Sequence, residues 1–237
     1  MSDSLLRLDG LTAGYGQASV LRNLNLTVEP GEVVALLGSN GAGKTTALRV
    51  ISGLIRPMSG TITFDGQPVG SSTPHALSRR GLAHVPEGRG IFHNLTVGEH
   101  FRLGYGGMKL DAEEAFAYFP ILRPLHKRRA GLLSGGEQQM LALARVLVCK
   151  RRLLLIDELS LGLAPVIVDA ILPTLREFAK QTGAGVLIVE QHVQRVLEVA
   201  DRGYVLAHGE TVMEGSAATL RRDRHLIMAS YLGRNAP

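Results

Sequence analysis

A glycine-rich run between an apolar segment and a predicted helix constrains the fold of this 237-residue chain more than any other feature. Residues 33–37 are all apolar, which is typical of a short strand that is buried on both faces of a sheet. Residues 45–52 have the pattern of a helix. The run between them matches the phosphate-loop pattern at every position: Gly38, Ser39, Asn40, Gly41, Ala42, Gly43, Lys44 and Thr45.

The residue types in this loop indicate what it binds. Glycines let successive backbone N–H groups point inward at phosphate oxygens, and the start of the helix adds positive potential. We expect Lys44 to reach the β- and γ-phosphates and the Thr45 hydroxyl to ligate Mg²⁺, with Thr46 also assigned to nucleotide binding. A chance glycine-rich turn is the alternative, and the flanking strand and helix argue against it.

A second apolar run ends in two carboxylates. Residues 153–156 are Leu-Leu-Leu-Ile, and Asp157 and Glu158 follow them directly. Asp157 would hold Mg²⁺ at the carboxyl-terminal edge of this strand, and Glu158 could polarise an attacking water as general base. A strand that ends in two solvated acids is the alternative, but it does not explain the pairing with a phosphate loop.

The remaining periodicity predicts an α/β fold. Apolar residues alternate over residues 6–11 and 21–28, which indicates antiparallel strands near the N-terminus. Short helical pieces between about residues 94 and 139 indicate a helical insertion, and strands alternate with helices again over residues 153–208. That rhythm predicts a mostly parallel sheet with helices on both faces.

Composition narrows the class of protein. No apolar run approaches the ~20 residues of a membrane-spanning helix, and residues 1–4 lack the order of a secretion signal. A single cysteine, Cys149, excludes an internal disulfide and fits a reducing compartment. The formal charge is +5, and the basic clusters carry no interleaved aromatic residues that could stack on bases. We expect a cytoplasmic protein with no nucleic-acid partner.

Residues 133–139, Leu-Ser-Gly-Gly-Glu-Gln-Gln, resemble the signature motif of the ATP-binding cassette (ABC) ATPases. The resemblance covers nearly the whole chain, because the phosphate loop, the signature, the aspartate–glutamate strand and a late histidine occur in the family's order. It implies a P-loop NTPase (RecA-like) core of mostly parallel sheet, an N-terminal antiparallel β portion and a helical subdomain. We divide the single cassette, residues 1–237, into a core of residues 1–88 and 149–220, a helical subdomain of residues 89–148 and a tail of residues 221–237.

The resemblance also implies a site that two subunits share. In the family, the signature of one subunit covers ATP held by another in a head-to-tail dimer. The residues expected to contact the partner's ATP are Ser134, Gly135, Gly136 and Glu137. Tyr15 resembles the aromatic residue that stacks on adenine, and His192 resembles the switch histidine that contacts the γ-phosphate. A turn or core tyrosine and a structural histidine are the alternatives.

Two positions depart from the family pattern. Glu87 stands where most members have a magnesium-linked glutamine, so it offers an oxygen ligand but adds negative charge near the metal. The run Val-Pro-Glu-Gly-Arg at residues 85–89 is similar to the second ATPase of branched-chain amino acid (LivF-type) importers, and residues 160–165 and 230–233 resemble the same subfamily. Leu159 replaces the expected proline after Glu158, so we expect a looser turn at that residue.

The resemblance implies the ATP-hydrolysing motor subunit of an importer, with ATP and Mg²⁺ as cofactors. The expected solutes are branched-chain or related polar amino acids, or amide- or urea-type compounds. The expected partners are a second ATPase subunit, identical or related, two membrane permeases that contact residues 87–104, and indirectly a solute-binding protein. The chain would lie peripherally on the cytoplasmic face of the membrane. The alternatives are a soluble ABC ATPase that acts on nucleic acid or ribosomes, and a P-loop kinase or GTPase, which would leave residues 133–139 unexplained.

Overall fold

The computed structural model describes residues 4–105 and 109–231. Residues 232–237 of the predicted tail, with Leu232 and Gly233 of the subfamily motif, lie outside the described residues. The strands of the described part are, in chain order, β1 (Leu6–Tyr15), β2 (Ala18–Val28), β3 (Val33–Gly38), β4 (Ser59–Phe64), β5 (Gln67–Pro68), β6 (Leu82–Val85), β7 (Leu153–Asp157), β8 (Gly185–Glu190), β9 (Arg202–Ala207) and β10 (Glu210–Ser216). The helices are α1 (Lys44–Ile51), α2 (Pro74–Arg79), α3 (Val97–Leu103), α4 (Ala112–Tyr118), α5 (Gly135–Leu147), α6 (Pro165–Thr182), α7 (Val193–Val199), α8 (Ala217–Arg222) and α9 (Arg224–Tyr231).

The larger sheet has six strands in the order β10-β9-β3-β8-β7-β6. Its strands are parallel except for β10, which pairs antiparallel with β9 at one edge. Strands β3, β7 and β8 are buried at every position, which confirms that their apolar runs lie in a sheet covered on both faces. Leu37 pairs with Glu190, and Asp157 pairs with Val189. The carboxyl ends of β3, β8 and β7 therefore meet at one edge of the sheet.

The smaller sheet is antiparallel, in the order β2-β1-β4-β5, as the alternating leucines predict. Asp65 and Gly66 both have positive φ angles, 52° and 67°, and form the tight turn between β4 and β5. Arg202 of β9 joins the two sheets, because its guanidinium donates to the Thr27 carbonyl of β2 at 2.9 Å. The same side chain pairs with Glu32, with Nε 2.5 Å from Oε1.

The helical insertion contains α3, α4 and α5, and the sequence pattern predicts a helix over residues 97–103, which are the bounds of α3. The same pattern predicts a helix that begins at Glu137, which is wrong, because Ser134 caps α5 and Gly135 is its first residue. Apolar side chains of the insertion, including Phe101 and Leu141, share one buried cluster with β-strand residues such as Leu154. The insertion is thus packed on the sheet rather than set apart from it. In the described part of the chain, no helix combines the length and apolarity that crossing a bilayer requires.

Candidate nucleotide-binding site

The phosphate loop connects the end of β3 to the start of α1. Gly41 and Gly43 have φ angles of 80° and 107°, in the left-handed region that favours glycine. A Cβ at Gly38 would lie 2.7 Å from the Leu206 carbonyl oxygen, so only glycine fits beside β9. Helix α1 has no side-chain cap at Gly43, and its first N–H groups face the loop. The loop therefore has the backbone shape and the polarity that bind an anion.

Lys44 and Thr45 contact the two carboxylates at the end of β7. Lys44 is 4% exposed, and its ammonium donates to the Ser39 carbonyl at 3.1 Å and lies 3.6 Å from Oε1 of Glu158. The Thr45 hydroxyl donates to Oδ1 of Asp157 at 3.2 Å. Residues that are 112 positions apart in the chain are thus in direct contact at the edge of the sheet.

Asp157, Thr45 and Glu87 supply oxygen atoms suited to Mg²⁺. Burial, together with the neighbouring charges of Glu158 and Glu87, raises the pKa of Asp157 to about 6, although the Thr45 hydrogen bond and the Lys44 charge oppose the shift. Thr45, Glu87 and Asp157 line one cavity of about 550 Å³. No group of three metal-ligating side chains occurs within residues 4–105 and 109–231. A hydroxyl and two carboxylates are nevertheless the small protein contribution that Mg²⁺ needs when phosphate oxygens complete its shell.

Glu158 lies in a turn that several contacts hold in place. Its φ angle is 43°, a strained value for a residue other than glycine, and its N–H donates to the Val189 carbonyl at 3.0 Å. The next side chain, Leu159, is 1% exposed and packs in the core. The Ser160 N–H and hydroxyl both donate to the Glu190 carboxylate, at 2.7 and 2.8 Å. Leu159 lacks the fixed φ of proline, but its burial and the Ser160 contacts restrict the same turn.

The signature residues begin α5. Ser134 is exposed, its hydroxyl accepts from the Glu137 N–H at 3.3 Å, and Oε2 of Glu137 accepts from the Ser134 N–H at 2.7 Å. The Glu137 carboxylate is therefore engaged in capping its own helix. Gly135 is half-buried, whereas Gly136 is buried against α6, where a Cβ would lie 2.9 Å from Cγ2 of Ile167. Contact with α6 therefore leaves no room for a side chain at Gly136, whereas Gly135 is partly open to solvent.

Tyr15 and His192 both lie at the ends of strands that frame the site. Tyr15 ends β1 and is 47% exposed, and Arg49 of α1 donates to its hydroxyl at 2.9 Å. His192 is exposed, follows β8 and precedes α7, and lines a small cavity with Ser160 and Glu190. The structure therefore ties Tyr15 to the phosphate-loop helix and brings His192 beside the turn that follows Glu158.

Two sets of contacts at the site involve residues to which the sequence analysis assigned no role. Glu190 is 3% exposed and holds Ser160; its signal was the same apolar run followed by an acid that marks Asp157. Arg89 donates to Gln138 at 2.7 Å and to Gln139 at 3.2 Å, and no spacing pattern in the sequence indicates that contact.

A phosphate loop whose lysine and threonine contact a carboxylate pair at the edge of a parallel sheet defines an ATPase domain of the P-loop class. The family model described as "ABC transporter" matches residues 21–160. The chain is 37% identical to the high-affinity branched-chain amino acid transport ATP-binding protein BraG of Pseudomonas aeruginosa, over 97% of this chain and 100% of that one. It is 36% identical to the probable branched-chain amino acid transport ATP-binding protein LivF of Archaeoglobus fulgidus, over 91% and 94%.

A solved structure has the same fold as this chain. The ADP conformation of an ATP-binding cassette of an ABC transporter superposes with a TM-score of 0.84 at 25% identity, over 98% of this chain and all of that one. The chain therefore belongs to the ABC transporter family, as an ATP-binding subunit whose ATPase activity is coupled to transport. One further solved ATP-binding cassette is a dimer bound to ADP and Pi, and another is part of an ABC transporter complex. The relatives named here are transport proteins, which gives no support to the nucleic-acid alternative.

Proposed function

We propose that this chain energises the import of branched-chain or related polar amino acids, or of amide- or urea-type solutes, through separate permeases. Its similarity to BraG and LivF over nearly their full lengths supports this class of solute. The observation that carries the ATPase assignment is the contact of Lys44 and Thr45 with the Glu158 and Asp157 carboxylates.

The residues of the site have separable tasks in hydrolysis. The phosphate-loop amides and Lys44 bind and orient the phosphates, and the Tyr15 ring lies where it can stack on adenine. Thr45, Asp157 and Glu87 would hold Mg²⁺, which neutralises charge on the β- and γ-phosphates when bound. Glu158 polarises the attacking water from its restrained turn, and His192 contacts the γ-phosphate from the neighbouring strand end.

A second subunit completes the site. Ser134 and the first amides of α5 present donors at an exposed helix N-terminus, where they can contact the γ-phosphate held by a partner. The partner is either a second copy of this chain or a related ATPase. Closing the dimer around ATP and opening it after hydrolysis supplies the motion that transport uses.

The docking segment, residues 87–104, is our candidate contact for the permease. It follows β6 and includes α3, the first helix of the helical insertion, and Phe92 at its surface is 54% exposed. The 550 Å³ cavity that holds Glu87 also has Leu54 in its wall, with 58% of that side chain exposed. A permease loop that occupies this surface from the membrane would place the chain peripherally on the cytoplasmic face, with a solute-binding protein acting on the other side.

The decisive experiment measures ATP hydrolysis and ATP-dependent dimerisation for the full chain and for Glu158→Gln. The variant should lose hydrolysis and accumulate as an ATP-bound dimer, because the base is removed while every phosphate contact stays. Glu177→Gln, at an exposed position on α6, is the matched control and should behave as the original chain. Full hydrolysis in Glu158→Gln would remove that residue from its assigned role. The solute class is checked in membrane vesicles that contain the chain and its permeases, where ATP should drive leucine uptake.

A further inference from the structure

Two arginines fasten the docking segment to helix α5, which carries the signature. Arg89, near the start of the segment, donates through Nη1 to Gln138 at 2.7 Å and through Nε to Gln139 at 3.2 Å. Arg145, in the last turn of α5, donates to the Gly90 carbonyl at 3.1 Å and to the Gly104 carbonyl at 3.2 Å. The two side chains thus point in opposite directions across the same gap and join both ends of the segment to one helix.

Burying the charged guanidinium of Arg145 costs free energy. Its side chain is 6% exposed, burial lowers the pKa of its guanidinium, and no carboxylate within residues 4–105 and 109–231 pairs with it. Its cation lies over the Tyr105 ring at 5.8 Å, and among the described residues its hydrogen-bond partners are the Gly90 and Gly104 carbonyls. A buried cation that donates to both ends of one segment indicates a positioning role.

Arg89 reaches α5 from a restricted backbone. Its φ angle is 62°, and its N–H donates to the Pro86 carbonyl at 2.8 Å. Its Nη2 atom lies 3.4 Å from the position that a Cβ on Gly135 would occupy. The guanidinium therefore lies beside the first turn of the signature helix, one residue from Ser134.

The docking segment is itself internally braced. His100 is fully buried, its Nε2 accepts from the Phe92 N–H at 2.9 Å, and its Nδ1 lies 2.8 Å from the Thr96 carbonyl oxygen. Thr96 and Glu99 form a capping box at the start of α3. A displacement at Phe92 is therefore passed to α3 and to both arginine contacts rather than absorbed within the loop.

We propose that Arg89 and Arg145 make the docking segment and the signature helix move as one body, so that a docked permease acts on the ATP held by the partner subunit. Glu87 lies in the same segment and faces the chain's own Asp157. One segment thus reaches both ATP sites of the dimer, its own through Glu87 and the partner's through the two arginines. This inference rests on the shared-site dimer of the proposed function.

The test uses hydrogen exchange of the full chain in the Glu158→Gln background, with and without ATP and Mg²⁺. ATP-driven dimerisation should slow exchange at residues 134–147, and through the arginines it should also slow exchange at residues 90–104. In Arg89→Gln, the protection of residues 134–147 should remain. The protection of residues 90–104 should fall by about tenfold, because charge-assisted hydrogen bonds are lost. Arg145→Gln should do the same, and Arg89→Lys should retain an intermediate protection.

Arg80→Gln is the matched control. Arg80 also donates to backbone carbonyls, those of Phe64 at 2.6 Å and Gln67 at 3.2 Å, and lies over the Phe64 ring at 5.4 Å. It lies outside the docking segment, so its variant should keep both protections. Because Arg145 is buried, its variant can fail to fold, and in that case the test rests on the variant of half-buried Arg89. If Arg89→Gln leaves the protection of residues 90–104 unchanged, this inference is wrong and the proposed function stands. If no ATP-bound dimer forms at all, both the inference and the proposed function are wrong.

Discussion

Gly136→Ala tests whether close contact between α5 and α6 sets the position of the signature. Gly136 is buried in the first turn of α5, and an added Cβ would lie 2.9, 3.2 and 3.3 Å from Cγ2, Cγ1 and Cδ1 of Ile167. All three atoms belong to one β-branched side chain, so the methyl group has to displace either that side chain or the start of α5.

The expected cost follows from two opposing terms. Overpacking costs about 1–3 kcal/mol, whereas replacing glycine by alanine in a helix contributes up to about 1 kcal/mol in favour of folding. Ile167 is half-buried and can turn partly away, so we expect a net destabilisation of about 1 kcal/mol, or a decrease in Tm of about 2–4 °C. ATP-dependent dimerisation should weaken by more, because Ser134 is two residues from the added methyl group.

Urea denaturation measures the first effect, and gel filtration with ATP in the Glu158→Gln background measures the second. Ile167→Ala removes all three contacting atoms, so the double variant should regain the dimer and show a favourable coupling energy of about 1 kcal/mol. Gly88→Ala is the control, since no atom lies within 4 Å of a Cβ there and its φ is not positive. A Gly136→Ala chain that dimerises normally, or a double variant that is not rescued, refutes the steric argument.

Three further outcomes are expected. Burial lowers the pKa of His84 from 6.5 to about 4, so between these pH values its imidazole is protonated in the unfolded chain but not in the folded one. The free energy of unfolding should therefore fall by up to about 3 kcal/mol from pH 6.5 to pH 4. The pH dependence of urea denaturation should be shallower in His84→Gln by that amount; equal slopes would contradict it. Glu190→Gln weakens two hydrogen bonds to Ser160, so kcat should fall about tenfold while the Kd for ATP stays; a change confined to Kd would point elsewhere. Tyr15→Leu should raise the Kd for ATP about tenfold and Tyr15→Phe much less, as titration with a fluorescent ATP analogue can show; equal losses would exclude stacking.

Local motifs allowed much of the site to be predicted from the sequence. The phosphate loop and the Asp157 strand are each short runs whose chemistry depends on neighbours in the chain, and parallel pairing then brings their ends to one edge. The predicted α/β class and the antiparallel N-terminal sheet are confirmed. The roles of the individual site residues stay predictions, those of Lys44, Thr45, Asp157 and Glu158 as much as those of Glu87, Tyr15, His192 and the signature.

Contacts between distant residues could not be predicted in the same way. Arg89 meets α5 across 50 residues, and Ser160 meets Glu190 across 30, so neither leaves a periodic signal. The expectation of a loose turn at Leu159 considered only the missing proline. The apolar side chain and the distant carboxylate that restrict the turn are features of the folded chain. The phosphate contact of Gly136 stays a prediction, and the sequence did not indicate that the nearby Ile167 side chain also requires a residue without a Cβ at this position.

The shared apolar cluster beneath the helical insertion limits how transporters of this kind can be recombined. Phe101 and Leu141 of the insertion pack with sheet residues such as Leu154, so exchanging residues 89–148 between two cassettes would join mismatched core surfaces. Chimaeras built to redirect such a subunit to another permease should therefore graft the exposed positions of the docking segment onto the intact core. Specificity for a permease can then change by surface substitution, while the interior, which both ATP sites depend on, is inherited whole.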